Sequence, residues 1–485
     1  MTITVNNLIA LLPLLITGAT AVLVMLSIAF KRLHDLNATI AVIGLNLALG
    51  SVYFAWQAGP QTVTPLLTVD AHACFYMALV LFATLACMTL SHAYIEGHND
   101  NKEEIYLLLT LSVMGALVLI MSRHLVSLFI GLELLSIPVY GLVAYTFRNK
   151  RSLEAGIKYM VLSAAASAFM LFGMALLYAE SGTMTFGGIG AELAEAGLLS
   201  PYAFAGIALI LCAMAFKLSL APFHLWTPDV YEGAPAPIGA YLATVGKVAV
   251  FAVLLRLLIE APAAHAALWG YVLAVIAFVS IVVGNLLALN QTNIKRLLGY
   301  SSVAQIGYLL VAIVAGGALA LEAAGIYLIA YVVTTIGAFG VVALTSSPYK
   351  GKDADAVYDY RGLFWRRPYL TAVMTVMMLS LAGIPFTAGF IGKFYVAALG
   401  VDAGLWWLMG ALVVGSAIGL YYYLRVTIAL YMPAPGMRRM EAAGNWGVRA
   451  GGIMVLVMAA LMFLIGVYPQ PFMEIVNLAG IAVFP

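Results

Sequence analysis

Apolar runs recur along the whole chain, separated by short polar or charged interruptions. A membrane-spanning helix needs about 20 predominantly apolar residues. On that criterion the pattern predicts roughly fourteen spans, centred on 8–30, 37–57, 74–94, 105–122, 124–146, 153–179, 203–233, 237–259, 267–290, 297–316, 321–345, 369–399, 405–431 and 450–475. Two of them are overlong. A continuous helix over 203–233 would run about 46 Å, against a hydrocarbon core of about 30 Å. Pro222 removes a backbone donor there and breaks the helix near mid-depth, and Gly383, Ile384 and Pro385 interrupt 369–399 in the same way. The predicted fold is an all-α polytopic membrane protein, one membrane domain over 1–485.

Composition agrees: 64% of the residues are hydrophobic and only 9% charged, where a soluble domain carries about 25% charged residues. The positions of the charges say more than their sum. No basic residue precedes the first span and Lys31 and Arg32 follow it, the reverse of a cleavable signal peptide, so that span is expected to stay as a helix with its N-terminus outside. The loops then predicted to be cytoplasmic hold Lys31, Arg32, Lys102, Arg148, Lys150, Arg151, Lys295, Arg296, Lys350, Lys352, Arg361, Arg366, Arg367, Arg438, Arg439 and Arg449, sixteen of the 23 basic residues. That bias predicts both termini on the outer, periplasmic face of a bacterial inner membrane.

The chain also repeats itself. LEAGIKY (153–159) is echoed by LEAAGIY (321–327), and LSLAPF (218–223) by LSLAGIPF (379–386). Each echo pairs a span with the one five spans later, and five is odd. The second copy is therefore expected upside down: spans four to eight (105–260) and nine to thirteen (267–432) form an inverted repeat, each with one broken helix.

Charges inside spans are expensive, about 2.5–3.5 kcal/mol each even on the lenient insertion scale, and mark ion or proton pathways. The candidate constellation is Glu133 in the fifth span, Lys217 and Lys393 on the two broken helices, and Lys247 mid-span. Lys158, with Glu154 four residues earlier, and His224 in the first break are secondary candidates. A lysine in apolar surroundings gives up its proton readily and a nearby carboxylate opposes that, so a Glu133–Lys217 pair could hold and release a proton. Arginine hardly deprotonates, so Arg256 and Arg425 read as anchors. Bland readings stand beside these: an i,i+4 salt bridge for Lys158 with Glu154, a capped polar group for His224, helix-end groups for Asp229 and Glu232, packing for Tyr421, Tyr422 and Tyr423. The cysteines (Cys74, Cys87, Cys212) lack the paired spacing of metal or iron–sulfur sites, and GGIG (187–190) follows no strand and reads as a connecting loop. No cofactor is expected on this chain, and no nucleic-acid partner.

GLELLSIPVYGL (131–142), FKLSLAPFHLWTPDVYEGAPAP (216–237), NQTNIKRLLGYSS (290–302) and SLAGIPFTAGFIGKFYV (380–396) resemble the antiporter-like membrane subunits of respiratory complex I, a family that includes the multi-subunit Na⁺/H⁺ antiporters. The likeness runs end to end. Lys393 in GFIGKF points to the N branch, because the sister M branch has a glutamate on its matching broken helix, and the L branch adds a long C-terminal lateral helix. The resemblance implies a membrane-arm module that translocates protons while other subunits, carrying FMN and iron–sulfur clusters, oxidise NADH and reduce quinone. It implies sister antiporter-like subunits, small membrane subunits and lipids as partners. Glu133 and Lys217 would form a coupled pair, Lys247 the connecting relay, and Lys393 the second half-channel, with Lys158 on the same polar axis. A Na⁺/H⁺ antiporter subunit and a structural spacer of the membrane arm remain the alternatives.

Overall fold

The computed structural model describes residues 4–96, 101–195, 200–261, 266–346, 353–433 and 450–481. Lys350, Lys352, Arg438, Arg439 and Arg449 lie outside the described residues. The chain opens with α1 (Val5–Ala10), α2 (Leu12–Phe30) and α3 (His34–Gln57), then a hairpin of β1 (Gln61–Thr64) and β2 (Leu67–Val69). Next come α4 (Ala71–Glu96), α5 (Glu104–Ile120), α6 (Leu125–Val143), α7 (Lys150–Ser181), α8 (Phe186–Glu195), α9 (Pro201–Lys217), α10 (Trp226–Gly233) and α11 (Ala236–Glu260). The second half holds α12 (Ala266–Leu289), α13 (Ile294–Ala315), α14 (Ala318–Thr345), α15 (Leu363–Arg366), α16 (Pro368–Ala382), α17 (Ala388–Asp402), α18 (Trp406–Tyr431), α19 (Ala450–Val467) and α20 (Gln470–Ile481).

Eleven helices among the described residues are long and apolar enough to cross a membrane, and the shorter apolar helices α5, α9 and α16 add to them. Burial sorts these helices into two sets. The helices α4, α11, α13 and α14 are buried almost all round, whereas α2, α7 and α19 are buried along less than half of their apolar windows. The exposed face of α7 carries Ile157, Val161, Phe169 and Phe172, as a helix facing lipid must. The polar residues that matter are therefore enclosed by apolar helices.

Several boundaries differ from the sequence expectation. The first span is divided at Leu11, where the following Pro13 restarts the helix. The expected last span, 450–475, ends at Val467, and after Tyr468 and Pro469 the chain starts α20. Residues 187–190 lie inside α8 and not in a loop. The hairpin was not foreseen. The turn and β2 are stitched to the α5–α6 connection by Arg123 N–H to the Leu66 carbonyl (3.1 Å) and Thr68 N–H to the Met121 carbonyl (2.8 Å).

Both overlong spans are broken. Helix α9 ends at Lys217, five residues before Pro222, so the break opens ahead of the proline. The turn that follows contains Ser219 at φ +62°, and it is held by Leu220 N–H to the Ala215 carbonyl (2.8 Å), Ala221 N–H to Ser280 Oγ (2.9 Å) and Trp226 Nε1–H to the Phe216 carbonyl (2.9 Å). Helix α16 ends at Gly383 in the left-handed region, φ +87°, where glycine carries no steric cost. A Cβ there would also stand 3.0 Å from Lys393 Cδ, so the same glycine makes room for that lysine.

Candidate functional site

The polar interior begins at a charged mouth. Glu154 and Lys158 on α7, Asp229 and Glu232 on α10, and Arg296 on α13 surround a cavity of about 240 Å³, with Arg151 at its rim. Lys158 Nζ reaches Glu154 (2.7 Å) and Asp229 (2.9 Å), while Arg296 bonds Asp229 (2.6 Å) and Glu232 (2.9 Å). The Lys158–Glu154 bridge is thus one edge of a larger ion network, and Asp229 and Glu232 are members of it. Lys295, one residue earlier on α13, turns inward and binds Asp353 (2.5 Å) and the Ala234 carbonyl (2.9 Å).

Lys217, the last residue of α9, is buried and donates to Ser136 Oγ on α6 (2.7 Å) and Ser163 Oγ on α7 (2.6 Å). The Tyr140 hydroxyl donates to the same Ser163 (2.8 Å). Glu133 does not touch Lys217: no salt bridge joins them, and Glu133 accepts from Ser167. Ser163 and Ser167 are i,i+4 neighbours on one face of α7, so the acid and the amine lie one helix turn apart, each capped by a serine. The break explains the separation, because ending α9 at Lys217 directs its ammonium to α6 and α7 at the level of Ser136, one turn beyond Glu133.

A cavity of about 20 Å³, mostly apolar but bordered by Lys217, Ser136, Tyr159 and Tyr241, lies between Lys217 and Gly246 in the middle of α11. That is room for about one water. The next residue on α11, Lys247, is buried and donates to Ser302 Oγ (2.5 Å), which pairs with the Tyr331 hydroxyl (2.6 Å). Tyr331 in turn borders a second small cavity of about 10 Å³, shared with Gln305, Tyr327, Ser380 and Leu381. On its far side Lys393 donates to the Leu381 and Ala382 carbonyls (3.0 and 3.2 Å), and its ammonium lies 5.0 Å from the centre of the Tyr308 ring. Gln305 Nε2 donates to that same Leu381 carbonyl (3.0 Å) and to the Tyr423 hydroxyl (3.2 Å), while Tyr327 donates to Gln305 Oε1.

The structure thus places Lys217, Lys247 and Lys393 in three hydrogen-bonded clusters with a small cavity between each and the next, with Glu133 one step to the side and Lys158 with Glu154 at the mouth. His224 is buried in the first break and makes no hydrogen bond to any of these groups, so the structure does not join it to them. The anchors are plain: Arg256 binds Asp70 through two bonds (2.7 and 2.8 Å), and Arg425 binds the Leu289 and Gln291 carbonyls. Tyr421 is exposed, but Tyr422 and Tyr423 are buried and hydrogen-bonded to Asn285 and Ser301, so packing alone does not describe them. Sequence reasoning missed Ser136, Ser163, Ser302, Tyr331 and Gln305. Spacing offered a signal, since Ser136 is three residues from Glu133 and Ser163 four from Tyr159.

The model of the family described as NADH:quinone oxidoreductase/Mrp antiporter, TM matches residues 122–419, the stretch that holds every lysine of this chain of contacts. The chain is 62% identical over 483 residues, 99% of its length and 97% of the relative's, to NADH-quinone oxidoreductase subunit N of Ectopseudomonas mendocina (strain ymp). It belongs to the subunit N family of NADH–quinone oxidoreductases. A chain of respiratory complex I from Thermus thermophilus with bound aureothin is similar at 33% identity and a TM-score of 0.80, covering 95% of this chain and 98% of that one. A chain of the Mrp complex from Dietzia sp. DQ12-45-1b has a TM-score of 0.84 over 98% of both chains at 18% identity, a likeness of fold alone.

Proposed function

We propose that this chain is the proton-translocating, antiporter-like membrane-arm subunit of an NADH:quinone oxidoreductase complex, and that protons follow the interior chain of contacts. A proton enters at the mouth formed by Lys158, Asp229, Glu232 and Arg296 and loads Lys217. It passes by way of the small cavity and water to Lys247, then through Ser302 and Tyr331 to the Gln305 region and Lys393, and leaves beyond the second break. Glu133 acts on Lys217 through the Ser167–Ser163 turn, so a charge change at Glu133 alters how firmly Lys217 holds its proton. The observation that carries this reading is the succession of three buried lysines, each bonded to neutral polar groups and separated from the next by a small cavity, across both helix breaks. Moving one charge against the membrane potential takes about 2.3 kcal/mol per 100 mV, and a two-unit change in a lysine's proton affinity is worth about 2.7 kcal/mol, so switching of this kind is large enough.

NADH oxidation and quinone reduction, with the flavin and iron–sulfur clusters they need, belong to other subunits in this reading. The two matching breaks five spans apart support an inverted repeat of 105–260 and 267–432. The basic residues of the loops support a cytoplasmic mouth and periplasmic termini. The test is NADH-driven proton pumping in inverted membrane vesicles with Lys217→Ala, with assembly and NADH:quinone turnover followed in the same preparation. Loss of pumping in an assembled complex is expected. Wild-type pumping and turnover would make Lys217 structural and sink the relay, and pumping that survives only with a Na⁺ gradient would favour the antiporter alternative.

A further inference from the structure

Away from this axis, at the end of the bundle that carries Lys31, Arg32 and Lys102, two histidines meet. His34 is the first residue of α3 and His92 lies in the last two turns of α4. Their rings stack with centroids 4.6 Å apart and planes 23° from parallel. Asp35, beside His34, approaches His92 Nε2 at 3.1 Å. A ring nitrogen from each histidine and a carboxylate oxygen of Asp35 all lie within 4.8 Å of one another. The nearby cations are engaged elsewhere: Arg32 binds Glu104 at 2.6 Å and Lys102 donates to the Glu96 carbonyl at 2.6 Å.

We propose that His34, Asp35 and His92 bind a divalent transition-metal ion of the zinc class, which ties the start of α3 to the end of α4. Two imidazoles and one carboxylate suit zinc, nickel, cobalt or copper, whereas magnesium and calcium prefer oxygen ligands throughout. Three protein ligands leave a fourth position for water. A second observation points the same way. His34 Nε2 faces the His92 carbonyl (3.4 Å) and the Tyr106 hydroxyl (3.3 Å), while its Nδ1 is buried without a hydrogen-bond partner. A metal-binding histidine is held like this, with one ring nitrogen on a carbonyl or hydroxyl and the other free to ligate. Bonds of about 2.0–2.2 Å in a tetrahedron put ligand atoms roughly 3.3 Å apart, so the widest separation, within 4.8 Å, must close by up to about 1.5 Å. The Asp35 side chain is 91% exposed and that of His92 is 36% exposed, and both can rotate to do so.

The test uses the intact complex in detergent, washed with chelator, then loaded with Zn²⁺ and desalted for elemental analysis. Co²⁺ loading in parallel reads the ligand field from its visible spectrum. Wild type should retain one more zinc per complex than His34→Ala or His92→Ala. Asp35→Asn, at an exposed position that leaves folding alone, should weaken zinc by at least roughly the 10–100-fold that losing an outer partner costs. Equal zinc in wild type and all three variants would overturn the proposal, as would a wild type that retains none. Either result leaves the proton axis untouched.

Discussion

The pair Ser136→Ala and Ser163→Ala tests how Lys217 is held. Its ammonium has two side-chain partners, at 2.7 and 2.6 Å, and no carboxylate in contact. A hydrogen bond to a charged group is worth about 1.5–3 kcal/mol, so removing one serine should cut loading of the site by about 10–100-fold unless the other compensates. Removing both leaves a buried ammonium without a partner, and the loss should exceed the sum of the single changes, since the second serine can no longer take up the donors the first releases. The assay is NADH-driven acidification of inverted vesicles, normalised to assembled complex. Each single variant should pump at a reduced rate, the double variant should match Lys217→Ala, and Ser163→Thr, which restores a hydroxyl, should recover most of the activity. If the double variant assembles and pumps at the wild-type rate, Lys217 is not held by these hydroxyls and the route drawn through them is wrong.

Two further outcomes follow from the geometry. Gly389→Ala places a Cβ 1.9 Å from the Ser380 carbonyl oxygen, a backbone atom that cannot step aside; α17 must shift against α16 at a cost of about 1–3 kcal/mol or more. Pumping should drop far more than in the control Gly410→Ala, where a Cβ meets nothing within 4 Å, and equal pumping would refute the close fit. Burial alone would raise the Asp70 carboxyl, but the Arg256 guanidinium holds it down at about 2 against an ordinary 3.8. A lowered carboxyl stabilises the fold above its ordinary pKa and loses that only as pH falls through 2. The thermal destabilisation caused by Asp70→Asn should therefore be the same at pH 8 and pH 5, and a gap that closes by pH 5 would contradict the pairing.

The spans, the two breaks and the five charged positions were legible because an apolar run of the right length and a charge inside it are both unusual. Partners were not. Serine in a membrane helix commonly bonds its own backbone, and Ser136 does so as well, donating to the Leu132 carbonyl at 2.6 Å, so its second role leaves no trace in the sequence. Lys295 and Asp353 are far apart in the chain, and only folding brings them together. Tyr423 differs from Tyr421 by face alone: Gly415, Gly419, Tyr422, Tyr423, Val426 and Leu430 form the buried stripe of α18, a helical spacing visible in the sequence to a reader who applies it. The serines beside Glu133 and Lys217 were hidden for the same reason: each charge is capped by a serine of a third helix, Ser167 for Glu133 and Ser163 for Lys217.

The two broken helices hold their lysines differently, and that decides which of them evolution can adjust. Lys217 rests on serine hydroxyls, and a single codon change can strengthen, weaken or remove either one. Lys393 rests on the carbonyls that end α16, which carry the partial negative charge of a helix C-terminus and belong to the backbone. No substitution deletes a carbonyl. Across related sequences the first site should drift in strength with its neighbours, while the second should change only when the break itself, or the glycine that shapes it, is rebuilt.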